Sequence, residues 1–335
     1  MEFSGLIGKY RVNRLLNEKE LSHRLMQGKR LNLSPRYQLS VIKMNSTYLE
    51  STDKWYGWKG IISTVMLAII AIFFTGLLKF YYVILISGSE FRPAGDSWWI
   101  LTAITAMSLP LLVTAIWALS KESFSYTHYP MRFNRITRMV HVFRPDGTVL
   151  SASWDQVFFT LGHIVQWNEW EVRGHVLEPD NVTVRETFAL SYVGSLNADD
   201  VAPGRTHYSS QDFVRAHWEF IRRYMEEGPQ SVLDQVQYCM PIQSRREGLR
   251  VGAERVFANF ASAPLLVYWM MAPFCLVVSI IRWFAMHTCK IPQWPHDIDA
   301  SCTLEANDPY AIEGAPDGER VAVFPGAARA EEVNS

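Results

Sequence analysis

Hydrophobic residues in this 335-residue chain are bunched into uncharged runs, and elsewhere they alternate with polar residues at strand or helix spacing. The runs cover 61–78 (IISTVMLAIIAIFFTGLL), 98–119 and 260–281. Crossing the hydrocarbon core of a bilayer takes about 20 residues at about 1.5 Å each. The pattern therefore predicts membrane helices over 58–87 and 97–119, and a transmembrane or re-entrant helix over 260–281. Trp55, Tyr56 and Trp58 form an aromatic belt at one end of the first run, and Trp98-Trp99 open the second. Such belts sit at membrane interfaces. Lys79 lies near the far end of the first helix, where its ammonium can snorkel to the headgroups. Pro264 and Pro273 interrupt the third run, which is why a re-entrant path stays open for it.

Residues 124–228 carry a different rhythm. Residues 137–143 (TRMVHVF) precede Arg144-Pro-Asp-Gly147 and then 148–153, which reads as a strand, a tight turn and a partner strand. Trp170, Val172, Gly174 and Val176 alternate with Glu171, Arg173 and His175, and a turn at Glu178-Pro-Asp-Asn181 leads to a partner strand over 182–192. After a polar loop at 195–209, Ser209 and Asp212 open a helix whose apolar face is Phe213, Ala216, Phe220, Ile221 and Tyr224. Glu219 and Arg222 fall on its solvent side by this reading, and Gly228-Pro229 stops it. Antiparallel strands closed by one amphipathic helix suggest a pleckstrin-homology-like β-barrel, so the expected class is an α+β membrane protein. Residues 230–258 mix Val232, Leu233, Val236 and Met240 with arginines, and fit either a basic amphipathic helix on the inner leaflet or a connector packed on the barrel.

Charge sharpens the layout. The whole chain has 32 basic and 33 acidic side chains, which gives bulk nucleic-acid binding no electrostatic basis. Residues 1–60 hold 11 basic and 5 acidic residues, whereas the tail 286–335 holds 3 and 9. Lys54 and Lys59 precede the first helix, Lys121, Arg132, Arg135 and Arg138 follow the second, and Arg245, Arg246, Arg250 and Arg255 precede the third. The positive-inside rule then places a basic N-terminal segment (1–57) and the central domain in the cytoplasm, and the 87–96 loop outside. Three full crossings would leave the acidic tail outside, with Arg282 and Lys290 on the wrong side for the rule. Proline, glycine and acids beyond residue 300 read as a largely disordered tail. Residues 1–30 lack an apolar leader core, so the first helix is expected to serve as address as well as anchor.

Candidate chemistry is sparse. The 9 histidines include no H-E-x-x-H pair, and neither a G-x-S-x-G elbow nor a P-loop is present. No catalytic, cofactor or metal site is expected. His128, Arg132 and Arg135 cluster just after the second helix, where guanidinium groups could hold a lipid phosphate or simply flank the membrane. His296-Asp-Ile-Asp299 could hold a divalent cation, but reads more readily as solvated surface. Cys289 and Cys302 could form a disulfide if the tail lies in an oxidising compartment.

The run His128-Tyr-Pro-Met-Arg-Phe-Asn-Arg135, then Val142-Phe-Arg-Pro-Asp-Gly147 and Trp154-Asp155, resembles a bacterial family of unknown function. Its members carry two membrane helices ahead of a β-rich domain, and many lie in type VI secretion neighbourhoods. The resemblance covers about residues 60–260 and carries over no residue role. It implies a multi-pass protein of the bacterial inner membrane, acting as a secretion accessory or immunity protein. The expected function is a non-enzymatic, membrane-anchored binding or scaffold protein. It would present its cytoplasmic module to a protein partner, such as a secretion-system effector, or to the lipid bilayer. The alternative is a membrane-embedded enzyme acting on lipid.

Overall fold

The computed structural model describes residues 10–85, 97–164, 169–190, 210–236, 238–258, 260, 265–303 and 307–314. The expected loops at 87–96 and 195–209, and the tail beyond 314, lie outside the described residues. The elements run β1 (Arg14–Leu15), α1 (Glu18–Ser22), β2 (Arg24–Leu25), β3 (Val41–Met44), β4 (Tyr48–Ser51), α2 (Ile61–Leu85) and α3 (Ser97–Glu122). There follow β5 (Met131–Asn134), β6 (Met139–Phe143), β7 (Val149–Ser153), β8 (Phe158–Ile164), β9 (Glu169–Leu177), β10 (Thr183–Ala189) and α4 (Ser210–Glu227). The chain closes with α5 (Leu249–Ala258), α6 (Leu265–Thr288), α7 (His296–Ser301) and β11 (Ile312–Glu313).

Helices α2, α3 and α6 are each long and apolar enough to cross a membrane. Their outer faces expose Ile72, Met107 and Leu266, an arrangement that costs free energy in water and none against lipid. Helices α2 and α3 form a hairpin that starts and ends at the β domain. Glu122 at the end of α3 accepts hydrogen bonds from the Gly60 and Ser63 amides, placing a carboxylate at the N-terminus of α2.

The β-rich part differs from the expected barrel. It consists of two antiparallel sheets, ordered β1-β10-β9-β8-β2 and β11-β3-β4-β5-β6-β7, with no closed barrel among the described residues. The hairpins predicted from turn chemistry are present. Phe143 pairs with Val149 across Pro145-Asp146-Gly147, and Gly147 adopts the positive φ of 85° that the turn requires. The N-terminal segment changes the topology. Read from sequence as a separate basic unit, it supplies β1 and β2 at both edges of the first sheet and inserts β3 and β4 between β11 and β5 in the second.

Both sheets and α4 share one core. Trp154, between β7 and β8, stacks on Trp218 of α4 at 5.3 Å and meets Phe159 at 5.0 Å. Phe220, Ile221 and Tyr224 are buried as expected. Glu219 and Arg222 are buried too, which corrects their assignment to solvent. Loop 30–36 wraps the side of α4 away from the sheets, and the Leu31 amide donates to Glu219 at 3.1 Å. Arg222 pairs with Glu219 at 2.8 Å and Arg223 donates to the Leu33 carbonyl. Helical periodicity identifies the sheet-facing stripe of α4 but contains nothing about a cover brought from 190 residues away.

The first part of the connector, as far as Ile242, packs on the domain. Val232, Met240 and Ile242 join the core, and the Met240 amide donates to the Val41 carbonyl.

The tail corrects a larger expectation. Residues 289–314 do not lie across the helices from the central domain. Lys290 bridges Tyr126, α7 lies over the second sheet, and β11 pairs with β3 through Ile312–Met44 and Glu313–Lys43. Asp308 accepts from the Ser46 amide and hydroxyl. Helix α5 leaves the domain, and α6 returns to it alongside α5 and α2.

Candidate functional site at the junction of helices and domain

Where the helices meet the sheets, two segments distant in sequence, 56–60 and 247–252, converge on Arg282. Its guanidinium is fully buried and forks onto Glu247 through Nε–Oε1 at 2.6 Å and Nη2–Oε2 at 2.7 Å. Nη1 donates to the carbonyls of Tyr56 (2.9 Å) and Lys59 (2.8 Å), and the Tyr56 ring lies 4.8 Å beneath the guanidinium. The Tyr56 hydroxyl closes the loop by donating to Glu247. Burial on this scale is tolerated only when the charge is paired and its remaining donors are used. Gly60 lets the backbones approach: its φ is +96°, and a Cβ there would stand 2.6 Å from the Cβ of Arg282. Arg255 of α5 is also buried beside this clamp. Burial and then the neighbouring Arg282 push its guanidinium down to about 9, so it stays charged at neutral pH.

Beside the clamp lies a small, partly open cleft between Asp53–Ile62 and Lys121–Tyr129. Asp53 accepts from the Trp55 and Tyr129 amides at 2.9 and 2.8 Å, but its partly desolvated carboxyl is still pushed above the usual carboxylate range. His128 is buried against the edge of the Tyr56 ring, with Nδ1 3.0 Å from the Thr127 hydroxyl. Burial, then the positive charge of Lys59, lowers it to about 3, so it is neutral at physiological pH. Burial raises the Tyr129 phenol to about 12. Lys59 is buried and donates to the Tyr126 carbonyl, while Lys121 is exposed over the Trp117 ring at 5.7 Å.

The cluster expected from sequence does not assemble. His128 faces this cleft. Arg132, in the middle of the second sheet, is held by Glu50 at 2.7 Å and by Asp299, and lies between the rings of Tyr48 and Trp294. Arg135 donates both Nε and Nη2 to the Ser46 carbonyl. His128 precedes β5, Arg132 lies within it and Arg135 follows it at a turn, so the three side chains meet different partners. The two arginines hold the fold together; Arg132 in particular pins α7 to the sheet. Asp299 is spent on that contact, and no group of three or more His, Cys, Asp or Glu among the described residues could hold a metal ion. Cys289 and Cys302 are unpaired and buried in different places: one donates to the Glu122 carbonyl, the other neighbours Asn134. The Trp154-Asp155 pair is likewise structural, with Asp155 on Arg138 and the Trp154 indole donating to Glu226.

Sequence reasoning passed over Asp53 and Glu247 and noted Arg282 only as an exception to the positive-inside rule. One signal was available: an arginine continuing an otherwise uncharged apolar run needs a partner, and an isolated glutamate in the arginine-rich connector could supply it.

Fold and junction together define a membrane-type α+β protein, with three span-length apolar helices clamped to a two-sheet domain. A sequence profile described as a family of unknown function (DUF6708) matches residues 108–306, more than half of the chain, and the protein belongs to that family. The match begins within α3 and continues through the tail to the far side of α7. It is therefore displaced from the expected 60–260 and takes in the tail that packs on the sheet. No curated protein and no solved structure matches the chain.

Proposed function

We propose that this protein is a membrane-anchored binding and scaffold protein whose two-sheet domain receives a protein partner at the membrane surface. The observation that carries the reading is the Arg282 clamp. Together with the α2–α3 hairpin, it supports a domain held at one height and orientation relative to the helices, which suits presentation of a surface. The N-terminal strap offers such a surface, because Leu15, Leu21 and Met26 are exposed on it. The motif resemblance carries a narrower proposal, that the membrane is the bacterial inner membrane and the partner belongs to a type VI secretion system.

The test is site-specific photo-crosslinking from Leu21 and Met26 of the full-length protein in its native membrane, compared with crosslinking from Asp155 on α4's side of the domain. One defined adduct from the strap positions, abolished by Leu15→Asp, is the expected result. No adduct, together with phospholipid turnover by the purified protein in vesicles, would replace this reading with the lipid-acting enzyme.

A further inference from the structure

Phe124 combines two features that each cost free energy in water. Its side chain is 60% exposed, and its backbone has a φ of +67°. Glycine enters that left-handed region freely, whereas a bulky residue seldom does. The neighbours on both sides hold it there. The Ser123 amide donates to the Leu119 carbonyl at 2.8 Å, and its buried hydroxyl lies 3.1 Å from that of Ser63 on α2. The Ser125 carbonyl accepts from the Lys290 amide at 2.8 Å. Between these pinned residues Phe124 presents its ring to the outside from a fixed backbone. Strain of this kind persists only where the surroundings over-determine it, and such positions cluster at functional sites.

The same contacts fix the level of the ring. Helix α2 begins at Ile61, α3 ends at Glu122 and α6 ends at Thr288, so Phe124 lies where all three apolar helices meet the domain. Lys59 donates to the Tyr126 carbonyl and brings Trp58 to this level. Near its domain end each helix has an exposed tryptophan: Trp58 just before α2, Trp117 on α3 and Trp283 on α6. Lys121 lies 5.7 Å over the Trp117 ring, and the His287 ring packs 4.4 Å from Trp283. Tryptophans and snorkelling cations at helix ends mark the headgroup layer. Helix α3 exposes Met107, Ile116 and Trp117 along its length, and Phe124 continues that apolar exposure two residues past its end.

We infer that Phe124 inserts its ring into the headgroup layer of the bilayer, so that the domain rests directly on the lipid surface through residues 123–126. Aromatic and aliphatic side chains of interfacial segments bury themselves at the headgroup–acyl boundary in this way. Contact with lipid offsets both the exposure of the ring and the strain beneath it. A protein partner then approaches the domain from a side that faces away from the membrane. The inference rests on the membrane anchoring proposed above and is independent of any protein partner.

The test uses the full-length protein in phosphatidylcholine vesicles. An environment-sensitive fluorescent amino acid replaces Phe124, Met107 on α3, or Ile136. Ile136 is as exposed as Phe124 but follows the far end of β5. The quenchers are phosphatidylcholine spin-labelled on its headgroup, phosphatidylcholine spin-labelled in mid-chain, and aqueous iodide. At Phe124 the expected result is emission blue-shifted from that at Ile136, quenching by the headgroup label and loss of iodide quenching. Met107 should respond to the mid-chain label, and Ile136 to iodide alone. The probe in place of Trp58 should behave as at Phe124, and it decides the matter should the Phe124 variant fail to fold. Iodide quenching at Phe124 equal to that at Ile136 overturns the proposal. So does protection from both iodide and the headgroup label, which would mean that protein covers the ring. If Met107 escapes the mid-chain label, the membrane anchoring fails and this inference with it; if Met107 is quenched and Phe124 is not, this inference alone fails.

Discussion

Arg282 and Arg222 are both buried guanidiniums gripped by a glutamate, in surroundings of opposite kind. Arg282 lies near the end of an apolar helix whose other faces expose leucine, tryptophan and phenylalanine, and its partners are a glutamate and two main-chain carbonyls. Arg222 lies on α4 under a polar loop, shares Glu219 with Arg223 and reaches the half-buried Glu227. At the end of α6 both members of the pair are closed off from solvent. On α4 the cover is one loop thick and backed by solvent. The same pair of residue types should therefore be worth different amounts in the two places.

The broadest test of this division is topological and all-or-none. An epitope inserted after Gly314 should report the same side as the β domain and the opposite side from one at Asp96. Opposite sides for Gly314 and the domain would refute the returning path of α5 and α6. Next in size, Arg282→Met leaves Glu247 buried without its partner and should cost about 3–5 kcal/mol in detergent unfolding. The double change Arg282→Met with Glu247→Leu should recover much of this, since apolar residues often replace a buried pair at little cost. Arg222→Met should cost less, about 1–3 kcal/mol, because Glu219 keeps Arg223 and the Leu31 amide as partners and Glu227 is open to water. Equal losses at Arg282 and Arg222 would erase the contrast.

The smallest effect concerns pH. His128, lowered to about 3, and His217 of α4, lowered to about 4 by burial despite its hydrogen bond to Arg36, are both neutral in the folded protein. Unfolded histidine takes up its proton near pH 6.5. The stability these groups contribute is therefore complete above that pH and declines as the pH falls toward 4. Each contributes about 1.4 kcal/mol per pH unit in that window. His217→Gln should flatten the slope of unfolding free energy against pH by one such increment, whatever it does to stability at pH 7. An unchanged slope would show that this histidine is protonated in the fold.

Some of this was legible without coordinates. The span-length helices, the Pro-Asp-Gly and Glu-Pro-Asp-Asn hairpins and the sheet-facing stripe of α4 all express local rules, namely length, turn chemistry and periodicity. The short strands β1 to β4 did not announce themselves. At two to four residues they lack room for a period, and their basic neighbours read as a membrane flank. The supposed phosphate cluster failed for a related reason. His128, Arg132 and Arg135 are close in sequence, but the first precedes β5, the second lies within it and the third follows it at a turn, so each meets different partners.

The sequence by itself determined which segments avoid water, where the chain must turn and that no familiar catalytic motif is present, because these depend on composition and near-neighbour spacing. Only the tertiary structure decided that the tail returns to the domain and that Arg282 finds Glu247. Each depends on residues 35 to 270 positions apart meeting in space. Charge satisfaction is a property of that meeting, and no local pattern contains it.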